Sequence, residues 1–516
     1  QLCDDDALSA LSPGASSQYT ESAGLVAGAT TADVHAARGK RPAKSAATTF
    51  SVADILRWGA PQATNASTPA RVCDTLAKLA LCRSHVMGGR IFKCEDCHET
   101  TSLYNSCGDR HCPACSGSKR VDFNEKAAKL IIDGVVYYQV VMTLPSELSE
   151  LALSNRELLG GLLPKSAWSS LVRSVRTEQG YAAAAISVLH TWNQQLMNHW
   201  HVHLLVPGAG PSVAGDRWVE ATPPIGSRND HGFYLVDADT LRSRFRKTLL
   251  RRLAQARAAG KLKLTGQHAY LKDDDNWTAF VNGLASKPWV AYIQPPPTTE
   301  SKARHVVNYL TRYLTGGPIS DHRIVSANRQ SVTFLARAGK QIGGRRTQVP
   351  ITISTKEFTQ RWSEHIQPDH LTKVRYFGGW SNSKVGQYMQ RCHDLSSATT
   401  GETTAEPDQQ GADPQRPNLV CESCGSDRMV LQSESSKPSW RELLGYGSSA
   451  SPPWYADLRD ESDRIFWDGL MGEGFNAWYL QTLIESAKEA EVQPPPPIQL
   501  HLPGFAPPDP YLLNSF

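Results

Sequence analysis

No apolar run in the 516-residue sequence approaches the roughly 18 residues that a membrane-spanning helix needs. The N-terminus has no signal-peptide pattern. A strong charge of either sign is also missing, since 54 Lys and Arg stand against 50 Asp and Glu and leave a net +4. A nucleic-acid reading must therefore rest on local clusters, not on overall charge. There is no Gly-x-x-x-x-Gly-Lys loop of the helicase type, which argues against a plasmid replication initiator or conjugative relaxase. Hydrophobic residues at 40% and charged residues at 20% describe a soluble protein with some disorder, long enough for two to four domains. The first residue is Gln1, not Met, so the expectation is that the natural start lies upstream.

Cysteine is concentrated. Seven of the 11 (Cys73, Cys82, Cys94, Cys97, Cys107, Cys112 and Cys115) fall in one short region. In a large chain without a secretory signal this reads as zinc ligation in a reducing cytoplasm, not as disulfides. Cys94-x-x-Cys97 and Cys112-x-x-Cys115, about 15 residues apart, match a four-thiolate zinc ribbon, because each tight turn aims two sulfurs at one tetrahedral ion. Cys82, His85, Cys107 and His111 remain as donors for a second ion. Cys73 reads as a buried helix cysteine. Arg110, Lys119 and Arg120 flank the knuckles and would suit a phosphate-facing module, with a purely structural zinc staple as the competing reading. Cys421-x-x-Cys424 is a lone knuckle, with Cys392 and His393 as distant partners for it.

Two stretches carry the chemistry. In the first, His201 and His203 share one face of a strand while Val202 takes the other, and Leu204 to Val206 bury the rest. Two imidazoles on a rigid strand make half of a divalent-metal site, although such a pair alone is often just a surface strand. In the second, Tyr309 and Tyr313 stand four apart on one helix face. Core packing would explain them in isolation. Together the stretches suggest metal-assisted attack of a tyrosine on a phosphodiester.

The remaining elements follow from pattern. Residues 1 to 48 read as a disordered segment. Ser51 caps a first helix, and a second covers 70–81. Strands are predicted at 135–143, 183–192, 289–294, 324–325, 331–336 and 348–353, with a helix at 356–365. Residues 241–263 hold nine basic residues and no acid. Within this run Arg242, Arg244, Arg246, Lys247, Arg251 and Arg252 are read as DNA-backbone contacts, and Leu241, Phe245, Leu249, Leu250 and Leu253 supply an apolar face. A solvated face is the competing reading for the charges.

With both motifs in place, the chain resembles the HUH (His-hydrophobic-His) rolling-circle transposases of the insertion-sequence-91 family, over roughly Cys73 to Asn382. Residues 104–115 look like that family's zinc-binding domain, and 140–147 look like the opening strand of its transposase domain. The motifs 188–192, 201–203, 289–292, 309–313 and 374–378 continue the series in order. Gly316 and Gly317 stand where the family pattern has a basic residue, and the tail past Gly401 has no counterpart.

The resemblance implies an α+β protein with an antiparallel HUH-endonuclease sheet and flanking helices behind a small zinc module. The expected division is 1–48 disordered, 49–125 zinc-binding, 134–385 catalytic, and 386–516 linker and mostly irregular extension. The implied catalytic set is Tyr309 and Tyr313, with His201 and His203 on Mg²⁺ or Mn²⁺ and a third ligand among His190, Gln194 and His199. The implied zinc set is Cys82, Cys94, Cys97, Cys107, His111, Cys112 and Cys115, holding one or two ions. Arg312, between the two tyrosines, reads either as a phosphate contact or as a solvated residue. The expected partners are single-stranded DNA at element ends and target DNA, with 5′-phosphotyrosine intermediates. A plasmid replication initiator or relaxase shares this chemistry, and a non-catalytic zinc-containing DNA-binding regulator is the rival from another class.

Overall fold

The computed structural model describes residues 50–65, 67–115, 123–222, 235–294, 317–342, 345–400, 419–445, 448–456 and 458. Its centre is a five-stranded antiparallel sheet in the order β12-β4-β5-β3-β8. These strands are β3 (Tyr137–Thr143), β4 (Ala184–Trp192), β5 (Asn198–Pro207), β8 (Val290–Gln294) and β12 (Val374–Gly378). β5 lies in the middle, hydrogen-bonded to β4 on one side and β3 on the other.

Period-two alternation divides the sheet into two faces. Val140 and Met142 of β3 and Trp200, Val202, Leu204 and Val206 of β5 form one of them. Against it lie helix α4 (Arg156–Glu178), through Leu163, Leu171 and Val175, and helix α5 (Ala238–Ala258), through Phe245, Leu249 and Leu253. Burying each such side chain contributes about 1.5–3 kcal/mol, which makes this layer the main anchor of the sheet. α5 begins where Asp237 caps it, the carboxylate accepting from the Thr240 amide at 2.7 Å. The other face carries Ile186, Val188 and Leu205 near β12, covered by Phe123, Leu130 and Trp380. Beyond that apolar end, the same face turns polar.

A second core joins distant parts of the chain. Helices α1 (Val52–Ala63), α2 (Ala70–Leu81) and α7 (Thr355–Ser363) pack with a second sheet, β11-β10-β9. β9 is Ile324–Ala327, β10 Ser331–Ile342 and β11 Arg345–Ser354. α1 starts at Ser51, the cap its sequence predicts, and the structure adds a reciprocal capping box to Asp54. Gly59 lets α1 approach α7, since a Cβ there would sit 2.7 Å from the Thr355 carbonyl oxygen. Phe334, Phe358, Trp362, Leu443 and Leu444 complete this core beside Cys82, Cys107, Cys112 and Cys115.

Two differences from the sequence reading concern the C-terminal part. Helix α8 (Val385–Thr400) occupies the start of the expected linker. Val385, Tyr388, Met389 and Cys392 fall at helical spacing; the first three pack on the core beside Trp380, and Cys392 is fully buried. Cys392 is thus a packing residue. Further on, β13 (Met429–Ser435) joins β1 (Gly89–Cys94) and β2 (Thr100–Tyr104) in a sheet of order β13-β1-β2, so part of the expected irregular extension is structured.

A buried histidine links the two cores. His365 Nε2 lies 3.1 Å from the Leu196 carbonyl and Nδ1 lies 3.2 Å from Thr191 Oγ1, a satisfied neutral tautomer. Burial pushes its pKa down from 6.5 to about 4. The unfolded chain therefore binds a proton that the folded one refuses between these values, and stability falls as pH drops through that window. Urea titrations at pH 7 and pH 5, followed by tryptophan fluorescence, should show a loss in unfolding free energy that is about 2 kcal/mol smaller in His365→Gln than in the parent.

Candidate functional site

The polar end of the open sheet face is built by register. His201 pairs across the ladder with His190, and His203 with Val188, so the two strands bring His190, His201 and His203 to one face. Their rings lie 4.7–5.3 Å apart, centroid to centroid. One nitrogen from each comes within 4.8 Å of the others. Of the three residues considered as a third donor, His190 is the one brought to the pair. His199 stays beside His201 and supplies its backbone carbonyl, 3.0 Å from His201 Nδ1. A carbonyl can only accept, so Nδ1 of His201 carries the proton and Nε2 keeps its lone pair. Gln194 lies on the β4–β5 turn, where its carbonyl accepts from Arg323.

Burial holds the rings of His201 and His203 uncharged. It drives His201 well below its ordinary value of 6.5, and it lowers His203 to about 4, with the Lys373 ammonium adding to the effect. Neutral imidazole is the form that binds a metal. Gln139, on the neighbouring β3, reaches His203 Nδ1 at 2.6 Å. With its carbonyl oxygen turned to that nitrogen, Gln139 would accept from Nδ1–H and leave His203 Nε2 as a donor atom, the usual arrangement behind a ligating histidine. Trp192 stacks on His190 at 4.6 Å and fixes the far side of the cluster. Sequence reasoning missed Gln139, although a polar residue inside the apolar run of β3, on the histidine face, was a usable signal.

The cysteines assemble differently from the expected ribbon. Cys82, Cys107, Cys112 and Cys115 form one group with all four Sγ atoms within 4.8 Å. Cys94 and Cys97 do not join Cys112 and Cys115; they meet Cys421 and Cys424 instead. The reason is local geometry: the β1–β2 hairpin carries the first knuckle away from the second, while the loop after Asn105 folds back onto the end of α2. The Cys107–Cys115 separation of 3.5 Å is far from a disulfide at about 2.05 Å and near the roughly 3.8 Å of two thiolates on one tetrahedral zinc.

His111 is no ligand in either group. Its Nδ1 hydrogen-bonds Asp109 Oδ1 at 3.0 Å and its Nε2 accepts the Gln367 amide at 3.0 Å. His85 also stands outside both groups. Cys73 is buried on α2, as the sequence suggested. Arg110, though exposed, donates to the carbonyls of Leu371 (2.7 Å), Gln367 (3.1 Å) and Pro368, so it ties the cysteine module to the segment before β12.

The basic helix α5 lies on the covered face of the sheet, opposite the histidines. Arg242 pairs with Asp239, Arg244 reaches Ser174 and Glu178, Arg246 donates to the Lys287 carbonyl, and Arg252 donates to Ser166 and Ser169. Lys247 and Arg251 line a cavity of about 320 Å³ between α4 and α5. Tyr309, Arg312 and Tyr313, with Lys119 and Arg120, lie outside the described residues.

Comparison with known proteins supplies the identity. Residues 57–144 match a family described as "Transposase zinc-binding domain", and residues 184–387 match one described as "Putative transposase". A protein of Sinorhizobium fredii named "Putative transposase y4qJ" is 31% identical over 351 residues, 67% of this chain and 83% of the relative. The chain belongs to the insertion-sequence-91 family of transposases. A second relative, the "Transposase for insertion sequence element IS801" of Pseudomonas savastanoi pv. phaseolicola, is 26% identical over 338 residues, 64% of this chain and 75% of the relative. No solved structure matches significantly. As a transposase the chain is a DNA-processing enzyme, and its cysteine groups support structural zinc. Among the described residues, no helix of this transposase is long and apolar enough to cross a membrane.

The position of Arg110 has a measurable consequence. Arg110→Ala should lower the unfolding free energy by about 1–2 kcal/mol, because three carbonyls lose a charged donor that water replaces in part. The salt dependence of DNA binding, followed by fluorescence anisotropy, should be unchanged.

Proposed function

We propose that this transposase is a two-tyrosine HUH enzyme, nicking and rejoining single-stranded DNA from its element's ends during rolling-circle transposition. The convergence of His190, His201 and His203 on one sheet face carries the reading. Edge strand β8, beside β3 in the same sheet, leads into the segment that holds Tyr309 and Tyr313.

His190, His201 and His203 are the residues to hold a divalent ion, and Gln139 orients His203 for that task. Bound Mg²⁺ or Mn²⁺ would supply neutralisation of charge on a non-bridging oxygen of the scissile phosphate. One tyrosine oxygen attacks phosphorus in line, the bond to the 3′-oxygen breaks, and that oxygen ends as a free hydroxyl once it gains a proton. The phenol, with an ordinary pKa of about 10, gives up its own proton in the step. The phosphodiester bond is exchanged for a 5′-phosphotyrosine, so rejoining needs no outside energy, and two tyrosines permit two successive transfers.

α5 has a different part in this scheme. From the far face of the sheet it would hold a stretch of DNA backbone well away from the cut, with Lys247 and Arg251 as its contacts beside Arg173, Ser169 and Ser170.

Labelled single-stranded DNA from the element's ends, incubated with Mn²⁺ and run on a denaturing gel, should give a protein-linked band. Tyr309→Phe with Tyr313→Phe should abolish it while leaving Mn²⁺ binding intact. His190→Ala, His201→Ala or His203→Ala should lose both the band and Mn²⁺ binding, the latter read by the electron-spin signal of free Mn²⁺. DNA binding without any covalent band would favour the non-catalytic regulator. In a separate titration, Lys247→Ala with Arg251→Ala should reduce the slope of log affinity against log salt by about 2, with the cut position unchanged.

A further inference from the structure

The group Cys94, Cys97, Cys421 and Cys424 joins residues 324 to 330 positions apart in sequence. Cys421 and Cys424 lie outside both segments matched by the transposase families, which end at residue 387. Antiparallel pairing of β1 with β13 brings the halves together, with Cys94 opposite Met429.

The two halves are folded alike. In the first, the Cys94 amide donates to the Glu99 carbonyl at 2.9 Å and the His98 amide donates to the Cys94 carbonyl at 3.0 Å. In the second, Cys421 donates to Ser426 at 2.7 Å and Gly425 donates to Cys421 at 2.8 Å. Each turn places a left-handed residue straight after its second cysteine, His98 at φ 61° and Gly425 at φ 77°. Glycine adopts that conformation readily, whereas a histidine there is uncommon and costs energy unless its surroundings impose it. Two matching knuckles that face each other are the usual construction of a four-thiolate zinc site.

The sulfur positions agree with that construction. Cys94 and Cys424 approach to 3.6 Å and Cys97 and Cys421 to 3.4 Å, too far for disulfides and close to the roughly 3.8 Å edge of a ZnS₄ tetrahedron. Arg428 holds the two turns in register, with ion pairs of 2.8 Å to both Glu95 and Asp96 of the opposing knuckle. The Glu95 amide meets the Arg428 carbonyl at 3.0 Å.

We infer that Cys94, Cys97, Cys421 and Cys424 bind a second structural zinc, separate from that of Cys82, Cys107, Cys112 and Cys115, and that this ion clasps the C-terminal segment onto the N-terminal module across the whole catalytic domain. The clasped segment then delivers Leu443 and Leu444 to the core of α1 and α2, and Tyr455 donates its hydroxyl to Asp74 at 2.5 Å.

The test uses the full chain purified with zinc. Elemental analysis should give two zinc ions per chain, falling to one in Cys421→Ser with Cys424→Ser, while Cys112→Ser removes the other. Because a variant can lose metal through misfolding, the parent protein is also treated with N-ethylmaleimide and each cysteine is mapped by mass spectrometry. Cys424 is exposed, so as a free thiol it would react at once, whereas as a zinc ligand it should stay unmodified until a chelator is added. One zinc per chain in the parent, or Cys424 reacting equally fast with and without chelator, overturns the inference.

Discussion

The central constraint in this protein is the double pairing of strand β5. Held by ladders on both sides, it has no freedom to slip, and a shift of one residue would exchange its whole apolar set for its histidines. Trp200, Val202, Leu204 and Val206 are buried against two helices, and that burial fixes which face His201 and His203 must take. The imidazoles thus owe their position to the residues that alternate with them. β4 completes the cluster by placing His190 opposite His201, and β3 contributes Gln139 behind His203.

The cysteine module and the histidine face are connected through polar side chains. His111, next to Cys112, accepts the Gln367 amide, and the Gln367 side chain donates to Thr191, the neighbour of His190. Arg110 reinforces the same junction by holding three carbonyls of the segment 367–371. The cysteine module is therefore part of the frame around the histidine face. Its core also includes Phe334, Phe358 and Trp362, which come from residues far along the chain.

Much of this was legible in the sequence. Alternation and β-branched composition gave the strands of the central sheet, capping gave α1, and spacing singled out His201 and His203. The family itself could be named from collinear motifs. What failed was long-range partnering. A Cys-x-x-Cys pair announces two ligands but not which other pair completes the set, and the β1–β2 hairpin sent Cys94 and Cys97 toward Cys421 and Cys424 instead of toward the nearer knuckle. Arg110 and His111 look like surface and ligand residues by type, yet both hydrogen-bond backbone groups of the distant segment 367–371. His190 was one candidate among three because a bulge between His190 and Trp192 sets the β4–β5 register, and no local pattern announces it.

The pairing of β1 with β13 has a bearing on synthesis. Residues 89–94 emerge from the ribosome long before residues 429–435, so throughout translation of the catalytic domain β1 presents an open hydrogen-bonding edge. A nascent chain in this condition can pair with a neighbour on the same polysome, and a product terminated before Met429 keeps that edge for its lifetime. Fragments of this transposase left by early stops are for this reason candidates for self-association through an unpaired strand.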